Sequence, residues 1–69
     1  MSELPIAAID RLIRKAGAER VSEDAAEELG KILSEVAIDI SKQAIELARH
    51  AKRKTVTSED IKLATKTMQ

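Results

Sequence analysis

Apolar residues recur along this chain in three blocks, each with the three-and-four spacing of a helix face. In the first, Ile6, Ile9, Leu12, Ile13 and Ala16 share one side, while Asp10, Arg11, Arg14 and Lys15 fall elsewhere. That spacing predicts a short amphipathic helix from about Pro5 to Ala16. Pro5 suits the first helical turn, where its missing N–H costs nothing. Gly17 stands where a left-handed C-terminal cap belongs. After a brief connection, Ala18-Glu19-Arg20-Val21, expected to be extended around Val21, Ser22 is placed to cap a second helix. Glu23 and Asp24 then favour the positive end of its dipole.

From Glu23 to about His50 nothing strong interrupts that helix. Ala25, Ala26, Leu29, Ile32, Leu33, Val36, Ala37, Ile40, Ala44, Leu47, Ala48 and Ala51 trace a broad apolar face. Gly30 costs about 1 kcal/mol relative to alanine, which a helix of this length absorbs. The pattern breaks at Lys52-Arg53-Lys54-Thr55-Val56, where Thr55-Val56 is a candidate short strand. Thr57 or Ser58 can cap a third helix, with Glu59 and Asp60 in its first turn. Ile61, Leu63, Ala64 and Met68 give that helix a modest apolar side.

The layout is all-α: short helix, long central helix, short helix, in a single domain over residues 1–69. The long helix spans roughly 42 Å at about 1.5 Å per residue, against about 20–25 Å for a compact body of this chain length. Two short flanking helices cannot cover its whole apolar face. Antiparallel crossing of two long helices near Val36 and Ala37 buries the remaining stripe, and small Ala37 permits close approach. An intertwined homodimer with no stable monomer is expected.

Composition narrows what such a dimer can do. With 69 residues and no cysteine, neither a large core nor a disulfide can supply stability. His50 is the sole histidine, too little for a structural metal site, so no metal or other cofactor is expected. No enzyme class finds support, because there is no thiol, no paired His and Ser, and no glycine-rich nucleotide loop. No small-molecule substrate is implied. No apolar run approaches the roughly 20 residues that cross a bilayer. Met1-Ser2-Glu3-Leu4-Pro5 has no basic segment leading into a hydrophobic block, so a cytoplasmic protein away from membranes is expected. Twelve basic and twelve acidic residues cancel. Their distribution does not: Arg49, Lys52, Arg53 and Lys54 cluster with no acid among them, and Glu23, Asp24, Glu27 and Glu28 form an acidic counterpart. Segregated charge allows a positive rim for an anionic polymer despite the neutral total.

These joints, read in order, resemble the archaeal histones. The matching stretches are Leu4-Pro5-Ile6-Ala7, Ala16-Gly17-Ala18-Glu19-Arg20-Val21-Ser22, Ala48-Arg49-His50-Ala51, Arg53-Lys54-Thr55-Val56 and Glu59-Asp60-Ile61. With the helix lengths between them they cover essentially the whole chain. The resemblance implies the handshake histone fold, in which the first loop of one protomer lies beside the second loop of its partner. It further implies binding of double-stranded DNA without base readout, on the chromosome. An antiparallel handshake sets Arg20 and Ser22 of one chain next to Lys54 and Thr55 of the other, and brings Arg11 and Arg14 to the middle. Arg20 is the candidate for the minor groove, with Thr55 orienting it; Lys54 and Arg11 are candidate phosphate contacts.

The resemblance also implies contacts between dimers through Leu47, His50, Asp60 and Leu63, with a His50–Asp60 pair across that seam. Arg53 suits an ion pair with Asp60 within one chain, so two readings compete for one carboxylate. Stacking of dimers along wrapped DNA would set Lys31 against Lys62, Glu35 against Lys66 and Lys15 against Arg49; only the second pair is complementary. Lys52 stands where family members often carry glycine, at a helix end that favours positive φ. A paralogous histone could replace the second copy in a heterodimer. Two other readings remain: a histone-fold interaction protein that barely wraps DNA, which the neutral charge favours, and a helix-turn-helix regulator. The latter needs a recognition helix, and the candidate, residues 58–68, offers Lys62 and Lys66, with Gln69 just after it, without a suitable preceding turn.

Overall fold

The computed structural model describes residues 4–67 and contains three helices: α1 (Ile6–Lys15), α2 (Glu23–His50) and α3 (Ser58–Thr67). Met68, assigned above to the apolar side of the third helix, and Gln69 lie outside the described residues. The chain divides into two compact units, residues 1–35 and 36–69. The first holds α1, the loop after it and the opening half of α2. The second holds the rest of α2, the loop 51–57 and α3.

Each helix end has a local cause. Pro5 stands just outside α1 as its N-cap, with φ −63° and ψ 124°. The helix therefore begins one residue later than its proline suggests: the extended ψ aims the Pro5 carbonyl at the N–H groups of Ala8 and Ile9, both at 3.2 Å. At the other end, the Gly17 N–H donates to the Arg14 carbonyl and the Ala18 N–H to that of Ile13. This is the paired closure that needs a left-handed residue, and Gly17 supplies a φ of 123°. The Ser22 hydroxyl caps α2 by accepting the Ala25 N–H at 3.2 Å, and Glu23 and Asp24 occupy the first turn.

The end of α2 repeats the closure of α1. The Lys52 N–H donates to the Arg49 carbonyl at 2.8 Å and the Arg53 N–H to that of Ala48 at 2.9 Å. Here the left-handed residue is a lysine, with φ 59°. Holding a side chain there costs about 1 kcal/mol relative to glycine. Of the two candidates for capping α3, Thr57 does so. Its hydroxyl accepts the Asp60 N–H at 3.4 Å, and the Asp60 carboxylate accepts the Thr57 N–H at 2.8 Å. That reciprocal pair is a capping box with aspartate in place of glutamate. Among the described residues no strand forms, at Val21 or at Thr55-Val56; an isolated extended segment has no neighbour to complete a ladder.

Burial shows how little one chain can hide. In the first unit Ile9, Ala26 and Gly30 are buried; in the second, Ala44, Ala48, Ala64 and Asp60. Ile9 is the one large apolar side chain among them. Leu12, Ile32, Val36, Ile38 and Leu63 stay 43–57% exposed. Taking the remaining surface of one such side chain out of water is worth roughly 1 kcal/mol. The apolar face of α2 is therefore made but not covered by its own chain.

Candidate nucleic-acid interface

Loop 1, residues 16–22, carries Arg20 and Ser22, and both are exposed. The Arg14 guanidinium holds the loop to α1. Its Nε donates to Asp10 Oδ2 at 2.8 Å, one turn back on the helix, and its Nη1 donates to the Glu19 carbonyl at 3.2 Å. The residue before Arg20 is thus strapped to the helix that precedes it. Ser22 combines two capacities: its oxygen accepts the α2 N–H while its hydroxyl proton is left to donate to an anion.

Loop 2, residues 51–57, carries Lys52, Lys54 and Thr55, all exposed. It is braced from beneath by one carboxylate. Arg53 Nη2 donates to Asp60 Oδ1 at 2.8 Å and Nη1 to Oδ2 at 2.9 Å, a two-pronged charged pair. The same Nη1 donates to the Thr55 carbonyl at 2.9 Å. Oδ2 also accepts the Thr57 N–H and, at 3.1 Å, the Thr57 hydroxyl. Asp60 is 3% exposed. The Arg53 hydrogen bonds, then the Thr57 N–H, hold its carboxyl well below the usual carboxylate range, and Arg53 is raised in turn.

The remaining cations divide by what they touch. Arg49 pairs with Glu46 at 3.2 Å and Lys62 with Glu59 at 3.7 Å, each on its own exposed helix face. His50 is exposed, Leu47 half-buried, and Leu63 half open to solvent. Asp60 is turned onto Arg53 within its own chain. Arg11, Lys15, Lys31, Glu35 and Lys66 are exposed helix residues. Among the described residues no group of acidic residues, cysteine and histidine could hold a metal ion, and no helix is long and apolar enough to cross a membrane.

Comparison with known proteins decides what this scaffold is. A family model described as histone-like transcription factor (CBF/NF-Y) and archaeal histone matches residues 2–65. An archaeal histone of Thermococcus zilligii, named as a HAN1 subunit, is 68% identical over 66 residues, covering 96% of this chain and 98% of that one. The chain belongs to the archaeal histones. Probable archaeal histone 3 of Methanocaldococcus jannaschii is 50% identical over 64 residues, covering 93% of this chain and 96% of that one. The three helices are accordingly those of the histone fold. This histone is a DNA-packaging protein of the chromosome that pairs with another histone-fold chain, and not an enzyme.

Two features of the histone's loops escape a reading of its sequence. The Asp10–Arg14–Glu19 strap left one signal, an acid and a base four residues apart on α1, but its reach to a loop carbonyl depends on where the chain turns. The bond from Arg53 to the Thr55 carbonyl left none, because it exists only once the left-handed turn at Lys52 has formed.

Proposed function

We propose that two copies of this histone interlock through α2 into a homodimer that wraps double-stranded DNA without reading its sequence. The observation that carries this reading is the uncovered apolar face of α2, with Ile32 at 47% and Val36 at 43% exposure. A second α2 crossing it antiparallel covers both copies at once. The same crossing sets loop 1 of each protomer beside loop 2 of the other, so that Arg20 and Ser22 stand near Lys54 and Thr55 twice per dimer. In this arrangement Arg20 enters the minor groove while Lys54 and Arg11 take phosphates. Arg14 contributes its remaining guanidinium nitrogen at the centre while it straps loop 1. None of these groups is directed at base edges, so preference follows how easily the DNA bends.

Dimers then associate through Leu47, His50, Asp60 and Leu63. Asp60 serves that seam mainly by fixing loop 2 and the start of α3, since Arg53 and Thr57 already occupy its carboxylate. A heterodimer with a paralogous histone is the second reading, favoured by the name of the Thermococcus relative, which designates one subunit of a larger whole. Nuclease digestion of DNA reconstituted with this chain alone tests the proposal. Protection is expected in steps of about 30 bp, from three inward-facing minor grooves about 10 bp apart per dimer. Arg20→Ala should lower the slope of log affinity against log salt by up to about 2, for two cations per dimer. Its helical content and unfolding midpoint should stay unchanged. Loss of the fold in that variant would refute the role given to Arg20, and protection that appears only after a paralogue is added would establish the heterodimer.

Charge along the dimer surface bears on longer assemblies. Of the three positions that would face one another between stacked dimers, Lys31 with Lys62 and Lys15 with Arg49 repel, and Glu35 with Lys66 attract. The histone should wrap DNA but stack weakly along it. Single-molecule stretching is expected to show unstacking at lower force than in a variant with Lys31→Glu. Equal forces would remove the charge argument.

A further inference from the structure

The basic cluster around loop 2 contains Arg49, Lys52, Arg53 and Lys54, and the structure separates them by use. Arg49 is paired with Glu46, and Arg53 is consumed by Asp60 and the Thr55 carbonyl. Lys52 and Lys54 are exposed, and among the described residues no carboxylate pairs with either. Lys52 also occupies the left-handed position that closes α2, with φ 59°. The chain solves the same closure at α1 with Gly17, so the strain at Lys52 is not forced by the turn. A strained residue held by a well-formed surrounding structure points to a use for its side chain.

We propose that Lys52 is a second phosphate-binding lysine of loop 2, standing beside Lys54 and retained at the expense of backbone strain. The inference rests on the DNA-wrapping reading above. The left-handed conformation keeps both helix-closing hydrogen bonds of residues 52 and 53. The Arg53 brace fixes the backbone on the far side, so Lys52 and Lys54 flank a rigid point of the loop. In a chain of zero net charge, attraction for DNA must come from cations left without internal partners, and Lys52 is one. The competing role for a lysine here is purely structural, offsetting the negative end of the α2 dipole.

Lys52→Gly, Lys52→Gln and Lys52→Arg, measured alongside the unaltered histone and Arg20→Ala, test this. Thermal unfolding and the salt dependence of duplex binding are both read. Lys52→Gly is expected to raise the midpoint by about 5 °C by relieving the strain. It should also lower the slope of log affinity against log salt by about 2, near 0.9 for each of two lysines per dimer. Lys52→Gln should lose the same slope without gaining stability, and Lys52→Arg should keep it. An unchanged slope in both Gly and Gln variants, while Arg20→Ala loses affinity, overturns the inference and leaves the wrapping reading intact. A Lys52→Gln protein that is less stable but binds with the original slope assigns Lys52 to the helix end instead. Failure of the unaltered histone to bind duplex DNA overturns both.

Discussion

Val36→Glu is expected to leave the chain unable to dimerise and, at micromolar concentration, without a cooperative thermal transition. The contrast between one copy and two makes this substitution decisive. Val36 is 43% exposed on its own chain, and a surface change of that kind ordinarily shifts stability by no more than about 0.5 kcal/mol. Once a second α2 crosses there, the new carboxylate is removed from water without a partner, in both copies. Burying an uncompensated charge costs several kcal/mol each time, which is comparable with the whole stability of a small domain. Sedimentation and far-ultraviolet circular dichroism check the result. A Val36→Glu chain with the original mass in solution and the original midpoint would sink the intertwined homodimer. The unaltered chain gives a second readout, since its midpoint should fall on dilution as expected for coupled folding and association.

The helices were legible in the sequence because their causes are local. The three helices follow from apolar spacing and from residues whose chemistry stops a helix: Gly17 and Ser22 on either side of loop 1, Thr57 before α3. These are local causes, acting within four or five residues, so they can be read in order along the chain. Even the strained turn at Lys52 is foreseeable, because a helix that ends in a paired closure demands positive φ of whatever residue comes next. The offset at Pro5 was not foreseeable in the same way. Proline is tolerated both at the first helical position and just before it, and the choice was set by which carbonyl accepts the first helical N–H groups.

The site was less legible than the fold, for a different reason. Basic residues are easy to count, but whether each is available depends on side-chain reach across a turn. Arg14 and Lys54 look alike as members of basic stretches. In the structure Arg14 spends two of its nitrogens on Asp10 and the Glu19 carbonyl, whereas Lys54 faces solvent. Internal pairing also removes Arg49, Arg53 and Lys62 from the cations free to meet an anion. A neutral chain can still present a positive rim because placement decides it: Arg20, Lys52 and Lys54 lie exposed on the loops, whereas Glu23, Asp24, Glu27 and Glu28 lie along the start of α2.

The second large effect is expected at Asp60. Asp60→Asn keeps the shape of the side chain and an oxygen for the Thr57 N–H, but it removes the charge that Arg53 faces. The guanidinium then sits against a neutral amide, loop 2 loses its brace, and α3 loses the charged half of its capping box. The unfolding midpoint at neutral pH should fall by roughly 5–10 °C. The acid limb carries a distinct signature. Because Arg53 and Thr57 hold the folded carboxyl well below its usual range, the unfolded chain binds this proton more readily than the folded one. The stabilisation is complete above the ordinary aspartate value near pH 4 and drains away as pH falls below it. Arg53 is shifted upward, so its share is lost only at alkaline pH beyond the usual guanidinium range. The unaltered histone should therefore lose stability between about pH 4 and pH 2 more steeply than Asp60→Asn does. Parallel acid limbs would show that the pair contributes nothing to folding. If the variant kept its midpoint but failed to form higher assemblies on DNA, Asp60 would belong to the seam with His50 of a neighbouring dimer and not to the loop. The same carboxylate cannot be fully committed to both, and with Arg53 and Thr57 at hydrogen-bonding distance within one chain, the loop has the prior claim.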